Sequence, residues 1–225
     1  MAASKKILLV EGEADKGFFE QICKSLVLDT EVRVASPKDL EGVRNSKQGV
    51  FNLLPTLLPL LLIEDGLTHI AIIVDADYLV LNGLGYQKTI ERVSDIVRPF
   101  GFEFDQNAAS GILYKHSDGL ADFGLWIMPN NQDEGMLEDW IKSCVNVSEQ
   151  ALFQQATQAV QQVSTRKFPE HLLSKAEVAT WLAWQKQPGH GLYAAITDQL
   201  LDNQLPLFKE LELWLCRIFA QETGQ

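Results

Sequence analysis

Three carboxylates in this chain stand where an α/β fold usually places its chemistry. Glu11 follows the apolar run KKILLV (5–10), and Asp75 and Asp77 follow a second one, HIAIIV (69–74). In an open parallel sheet, ligands sit beyond the carboxyl ends of the strands, which is where all three would lie. Gly12 lets the backbone turn sharply after Glu11. The i, i+2 spacing of Asp75 and Asp77 predicts that both side chains turn toward one side. If the two runs form neighbouring strands, the carboxylates converge. Converging carboxylates repel one another unless a cation intervenes, and an all-oxygen site of this kind suits Mg²⁺ or Mn²⁺ rather than zinc. Such a site favours phosphate chemistry: the metal polarises phosphoryl oxygens and activates water or a hydroxyl, and a carboxylate nearby moves the proton.

The elements that must hold these residues can be read from periodicity. After the first strand, residues 15–26 carry Phe18, Phe19, Ile22, Cys23 and Leu26 at helical spacing. Residues 31–35 (EVRVA) alternate as a strand does, a polar loop with Lys38, Arg44 and Lys47 follows, and 50–63 reads as a buried helix bent at Pro55 and Pro59. Beyond the DAD segment, 86–97 is an amphipathic helix, and Gly83-Leu84-Gly85 is a loop and helix start without the spacing of a phosphate loop. Residues 112–114 and 123–128 are short strands around a polar turn at 117–122, and a helix begins near Glu134. From about Ser148 onward the pattern is helical, with a Pro169-led helix, a Pro188-Gly189 break and a last helix over 207–220. Strands alternating with helices imply an α/β fold with a mainly parallel sheet flanked by helices. The expected organisation is an α/β core over residues 1–145 and a helical extension over 146–225 packed on that core.

Composition narrows the partners. With 19 basic and 30 acidic residues the net charge is −11, and 22 of the 30 carboxylates precede residue 140. Nonspecific nucleic-acid binding depends on neutralising phosphates, so tight DNA binding by the lone chain is disfavoured. A nucleic acid or nucleotide remains the expected substrate class, and a homo-oligomer or a protein partner is left open. The longest apolar stretch, 50–63, is interrupted by polar residues and prolines and falls short of the roughly 20 residues a membrane span needs. The first residues lack the apolar region and cleavage site of a signal peptide. The expectation is a soluble cytoplasmic protein with no membrane association. Cys23, Cys144 and Cys216 are widely spaced with no CxxC pair, which predicts buried thiols rather than disulfides or zinc ligands. None of the four histidines has metal-ligand spacing.

The segments LLVEGEAD and IIVDAD, an apolar strand with Glu-Gly and an Asp four residues on, then an apolar strand with Asp-x-Asp, resemble the Toprim domain. That domain is shared by topoisomerases, bacterial primases and OLD-type nucleases, and the two motifs span roughly residues 5–80. The resemblance implies a Toprim or Rossmann-like fold in which Glu11 is the catalytic acid/base or a metal ligand, Asp75 and Asp77 bind Mg²⁺ or Mn²⁺, and Asp15 supports a second metal. Further along, GLWIMPNNQDEGMLEDWI (124–141) and KAEVATWLAWQKQPG (175–189) resemble an uncharacterised bacterial family of small stand-alone Toprim-like proteins. This second resemblance implies that Asn130, Asn131 and Glu138 border the same cleft, with Glu138 a further metal ligand, and that Lys175 faces phosphate as a catalytic residue.

Each of these residues also has a plain structural reading. A strand-end Glu-Gly is a common turn, Glu138 and Asp139 suit the first turn of a helix, Lys175 suits a surface, and Trp181 and Trp184 suit core or interface packing. Taken together and in order, the carboxylates predict a Mg²⁺-dependent nuclease-like or other phosphoryl-transfer enzyme, with Lys38, Arg44 and Lys47 available to phosphate. The alternatives are a non-catalytic module that binds metal or nucleotide, and a receiver-like phosphoacceptor using Asp75. Against the receiver, 64 residues separate Glu11 from Asp75, and Gly12 stands where a second acid is needed.

Overall fold

The two apolar runs become adjacent parallel strands. In a computed structural model describing residues 4–35, 46–105 and 111–220, β1 (Lys6–Val10) pairs with β3 (His69–Asp75) in the register Lys6↔His69 to Leu9↔Ile72. β2 (Glu31–Val34) lies on the other side of β1, and β6 (Phe123–Met128) lies beside β3, both parallel. Two further strands, β5 (Ile112–His116) and β4 (Phe102–Phe104), extend the sheet antiparallel, giving the order β2-β1-β3-β6-β5-β4. The result is a mixed, mostly parallel six-stranded sheet, flanked among the described residues by eight α-helices. No helix of the described residues is long and apolar enough to cross a membrane.

Successive side chains of β1 and β3 enter two different cores, as strand alternation requires. Ile7, Leu9, Ile72 and Val74 meet α2 (Ser46–Leu57) and α3 (Gly85–Val97) on one face. Leu8, Val10, Ala71 and Ile73 meet the other core, which takes in α1 (Glu13–Ser25), α4 (Leu137–Ser143), α5 (Gln150–Gln161), α6 (Leu173–Ala183), α7 (Ala194–Thr197) and α8 (Pro206–Phe219). Aromatic contacts join α8 to the sheet and to α4: Trp214 lies 5.6 Å from Trp126 of β6 between ring centroids, and Phe208 lies 5.1 Å from Trp140 of α4. Gly124 on β6 makes this approach feasible, because a Cβ there would stand 2.8 Å from Ile218 Cδ1 and 3.0 Å from Trp214.

Several local expectations are corrected. The helix expected over 50–63 starts earlier, at Ser46, runs through Pro55 to Leu57, and continues as a 3₁₀ segment, Leu58–Leu62, with Pro59 in its first turn. The helix expected near Glu134 starts at Leu137, because Asn130 Oδ1 accepts from the Gln132 and Asp133 N–H groups and Gly135 turns with φ of 141°. β4 has no counterpart in the sequence reading. Trp181 is core, as its spacing suggested, whereas Trp184 is 45% exposed at the end of α6. Lys38 and Arg44 lie outside the described residues.

Candidate carboxylate site

Pairing of β1 with β3 brings Glu11 to the end of β3, where Glu11 Oε1 accepts the Asp75 backbone N–H at 2.9 Å. Asp75 in turn accepts the N–H of Leu137, the first residue of α4, on Oδ1 at 2.9 Å. One turn into α1, Asp15 Oδ2 folds back to accept the Gly12 N–H at 3.0 Å. This half capping box satisfies a donor that a helix start otherwise leaves open. Backbone donors thus fix one oxygen of each carboxylate.

Crowding dominates the electrostatics. Burial pushes Glu11 up to about 7 and the charges of Asp77 and Asp15 add to this, while Lys47 and the Asp75 N–H pull the other way. Asp15 is pushed up to about 6, by burial first, with Lys175 opposing and Glu138 adding to the rise. Asp75 is raised well above the usual carboxylate range by burial and then by Glu11, Asp15 and Glu138, against Lys175. Burial works against the Lys175 ammonium, but Glu138, Asp75 and Asp15 outweigh it and hold its pKa above the ordinary value. Lys175 Nζ lies 3.4 Å from Glu138 Oε1, and Glu138 Oε2 is buried with no hydrogen-bond partner among the described residues. Glu11, Asp15, Asp75, Asp77, Glu138 and Lys175 therefore share one electrostatic neighbourhood.

Asp77 departs from the expected alternation. The strand ends at Asp75, and Asp77 takes the left-handed region with φ of 60°, its backbone exchanging hydrogen bonds with Gly135. Its carboxylate pairs with Lys47 of α2, so Asp75 is held by the α4 layer and Asp77 by the α2 layer. Lys47 is almost fully buried, which makes it a fixed part of this site rather than a loop side chain waiting for phosphate. Asn131 turns back to accept the Ile127 N–H at 2.7 Å, and Asn130 caps the turn that follows β6. Both asparagines are occupied in shaping that turn.

A second polar group, built on the residues next to Glu138 and Lys175, was not read from the sequence. Asp139 accepts from Tyr78 Oη at 2.6 Å and from the Met136 N–H at 3.0 Å on Oδ2, and from Ser174 Oγ at 2.5 Å on Oδ1. Lys142 Nζ reaches Ser174 Oγ at 3.2 Å and Glu177 Oε2 at 2.5 Å. The available signal was Glu177 inside the apolar helix LSKAEVATWLA, a charge that must be paired if buried.

Among the described residues, no three His, Cys, Asp or Glu side chains are already gathered to hold a metal ion. The donor chemistry nevertheless suits a hard cation: the strand-end donors are all carboxylate oxygens, Glu138 Oε2 lacks a partner, and mutual repulsion contributes to the raised pKa of Glu11 and Asp75.

Fold and site together define an α/β protein with a carboxylate cluster at the carboxyl ends of adjacent parallel strands. The chain belongs to the DUF3226 family, a protein family of unknown function, whose profile matches residues 5–220. Comparison with curated proteins gives no match. Among solved structures, the C-terminal region of the Xanthomonas campestris pv. campestris OLD protein is similar at 14% identity and a TM-score of 0.34, covering 94% of this chain and 85% of that one.

Proposed function

We propose that this protein is a Mg²⁺- or Mn²⁺-dependent phosphoryl-transfer enzyme that cleaves phosphodiester bonds at a site of the Toprim type. The observation that carries the reading is the crowding of Glu11, Asp15, Asp75 and Glu138 at the strand ends against the ammonium groups of Lys47 and Lys175, with the first three carboxyls pushed upward in pKa. Structure-building ion pairs do not need this excess of negative charge, whereas a site for a divalent cation and a phosphate does.

Asp75 and Asp77 would hold the first cation beside Glu11, with Asp15 and Glu138 available to a second, and the chemistry such a cation would supply is polarisation of a phosphoryl oxygen and activation of the attacking water or hydroxyl. The chain's own residues do the remaining work. Glu11, pushed up to about 7 by burial in the metal-free protein and with Oε1 fixed by the Asp75 N–H, is placed to take and return a proton through Oε2. Lys175, kept protonated by its acidic neighbours, offers positive charge to a phosphate oxygen. Lys47 orients Asp77.

The test is Mg²⁺- and Mn²⁺-dependent cleavage of supercoiled DNA, single-stranded DNA and structured RNA by wild type, Glu11→Ala and Asp75→Ala. Cleavage by wild type that both substitutions abolish is the expected result. Absence of cleavage in wild type, or cleavage indifferent to both changes, would overturn the nuclease assignment and leave a metal- or nucleotide-binding module.

A further inference from the structure

Beside Asp77 the surface opens into a cavity of about 200 Å³. Tyr78, Leu81 and Met136 form its apolar walls, and Asn82 and His171 bring an amide and an imidazole to it. The cavity is built in advance of any ligand. The Gly83 and Leu81 N–H groups both return to the Tyr78 carbonyl, the Leu79 N–H is held by Glu134 Oε2 at 2.9 Å, and Tyr78 Oη is anchored on Asp139. Gly83 is required for this turn: a Cβ there would stand 2.5 Å from Asp77 Cβ and 2.7 Å from the Tyr78 nitrogen.

Size and chemistry limit the occupant. Pockets that take whole drug-sized ligands run to roughly 300–1,000 Å³, so this one admits a single ring system. Its apolar walls suit the faces of a planar heterocycle, and an amide with an imidazole can serve both donors and acceptors on the ring edge. Asp77 belongs to the cavity and to the carboxylate cluster at once. A ligand that fills both must carry a ring a few bonds from a phosphate.

We propose that this cavity is the base subsite for a single unstacked nucleotide whose phosphate lies at the carboxylate site. The inference rests on the phosphoryl-transfer reading above and narrows its substrate to a mononucleotide or an unpaired nucleotide of a strand. A base inside a duplex cannot enter without leaving the stack, and a chain of net charge −11 is poorly suited to tracking along duplex DNA.

Fluorescence titration of the full chain in Mn²⁺ tests this with 2-aminopurine riboside 5′-monophosphate, with 2-aminopurine at the unpaired end of an oligonucleotide, and with the same base inside a duplex. The expected result is a saturable response to the mononucleotide, to the unpaired end or to both, which separates the two sources, and none to the duplex-internal base. Leu81→Trp, a change at a residue 40% exposed, fills the cavity and weakens the response about tenfold or more. His171→Ala weakens it independently. Lack of a saturable response in wild type, a response indifferent to both substitutions, or an equal response to the duplex-internal base overturns the subsite. Mn²⁺ binding, followed by calorimetry in wild type and Asp75→Asn, reports separately on the metal reading, so failure of one is distinguishable from failure of the other.

Discussion

Two acidic groups lie side by side in this molecule and are treated in opposite ways. Around Asp139 and Glu177 each carboxylate oxygen has a donor: Ser174, Tyr78 and the Met136 N–H serve Asp139, while Lys142 and Gln161 serve Glu177. At the strand ends, by contrast, Glu11, Asp15 and Asp75 receive one backbone donor each and face one another, and Glu138 keeps an oxygen with no partner among the described residues. A buried polar group that is fully served rigidifies a fold, and one that is underserved costs stability unless a ligand completes it. On the proposed reading, the α4 to α6 contacts belong to architecture and the strand ends to function.

The largest expected effect tests the functional half. Glu11→Ala should reduce metal-dependent cleavage by about 10²–10⁴-fold, the usual range for removing a general acid or base. Glu11→Gln, which keeps an acceptor for the Asp75 N–H, should melt no lower than wild type in metal-free buffer, because it relieves repulsion. A lower melting temperature together with unchanged activity would reverse the roles of the two groups.

Next comes the architectural half. Glu177→Ala should cost roughly 1–3 kcal/mol in denaturant unfolding, since it takes the carboxylate from a Lys142 that is only partly buried and keeps Ser174 Oγ. Mn²⁺ affinity of the folded variant should be unchanged. A variant of wild-type stability but lost Mn²⁺ binding would show that Glu177 belongs to the site.

The pH dependence sharpens the contrast further. Burial pushes Glu11 from its ordinary 4.5 up to about 7 in the fold, so between these values the native state holds more protons than the unfolded one. Stability from this group is therefore full below pH 4.5 and is lost as pH rises through 7. His69, lowered to about 4 by burial and by Lys6, acts in the opposite sense between pH 4 and 6.5, so wild type alone would mix the two. Comparing Glu11→Gln with wild type cancels His69. In metal-free buffer the variant should gain on wild type by about 1–3 kcal/mol between pH 5 and pH 8. A constant difference across that interval would show that Glu11 titrates normally.

How much of this was legible in the sequence follows the physics of each element. β1, β3 and β6 are buried on both faces, so their continuous apolar runs announce both the strands and the residues at their ends, Glu11 and Asp75. β4 is a three-residue strand with two exposed side chains and carries no such signal. The placement of Asp77 depends on a left-handed residue just past the strand and on Lys47, 30 positions away, and alternation alone cannot anticipate either. Asp139 was visible only as the neighbour of Glu138, because its partners Tyr78 and Ser174 come from distant segments.

Tyr78 joins the two acidic groups and carries the smallest effect. Its hydroxyl donates to Asp139, and burial followed by that carboxylate raises its pKa, so it stays protonated as a donor throughout the working pH range. Tyr78→Phe removes one charge-assisted hydrogen bond but leaves Asp139 Oδ2 with the Met136 N–H and Oδ1 with Ser174. The carboxylate is therefore not orphaned, and the expected cost is about 1 kcal/mol in unfolding. The ring remains to line the cavity beside Asp77, so Mn²⁺ binding should be unchanged. A loss of metal affinity in Tyr78→Phe without a matching loss of stability would mean that Asp139, freed from its tyrosine, competes for the cation, and the boundary between architecture and site would then run through Asp139 itself.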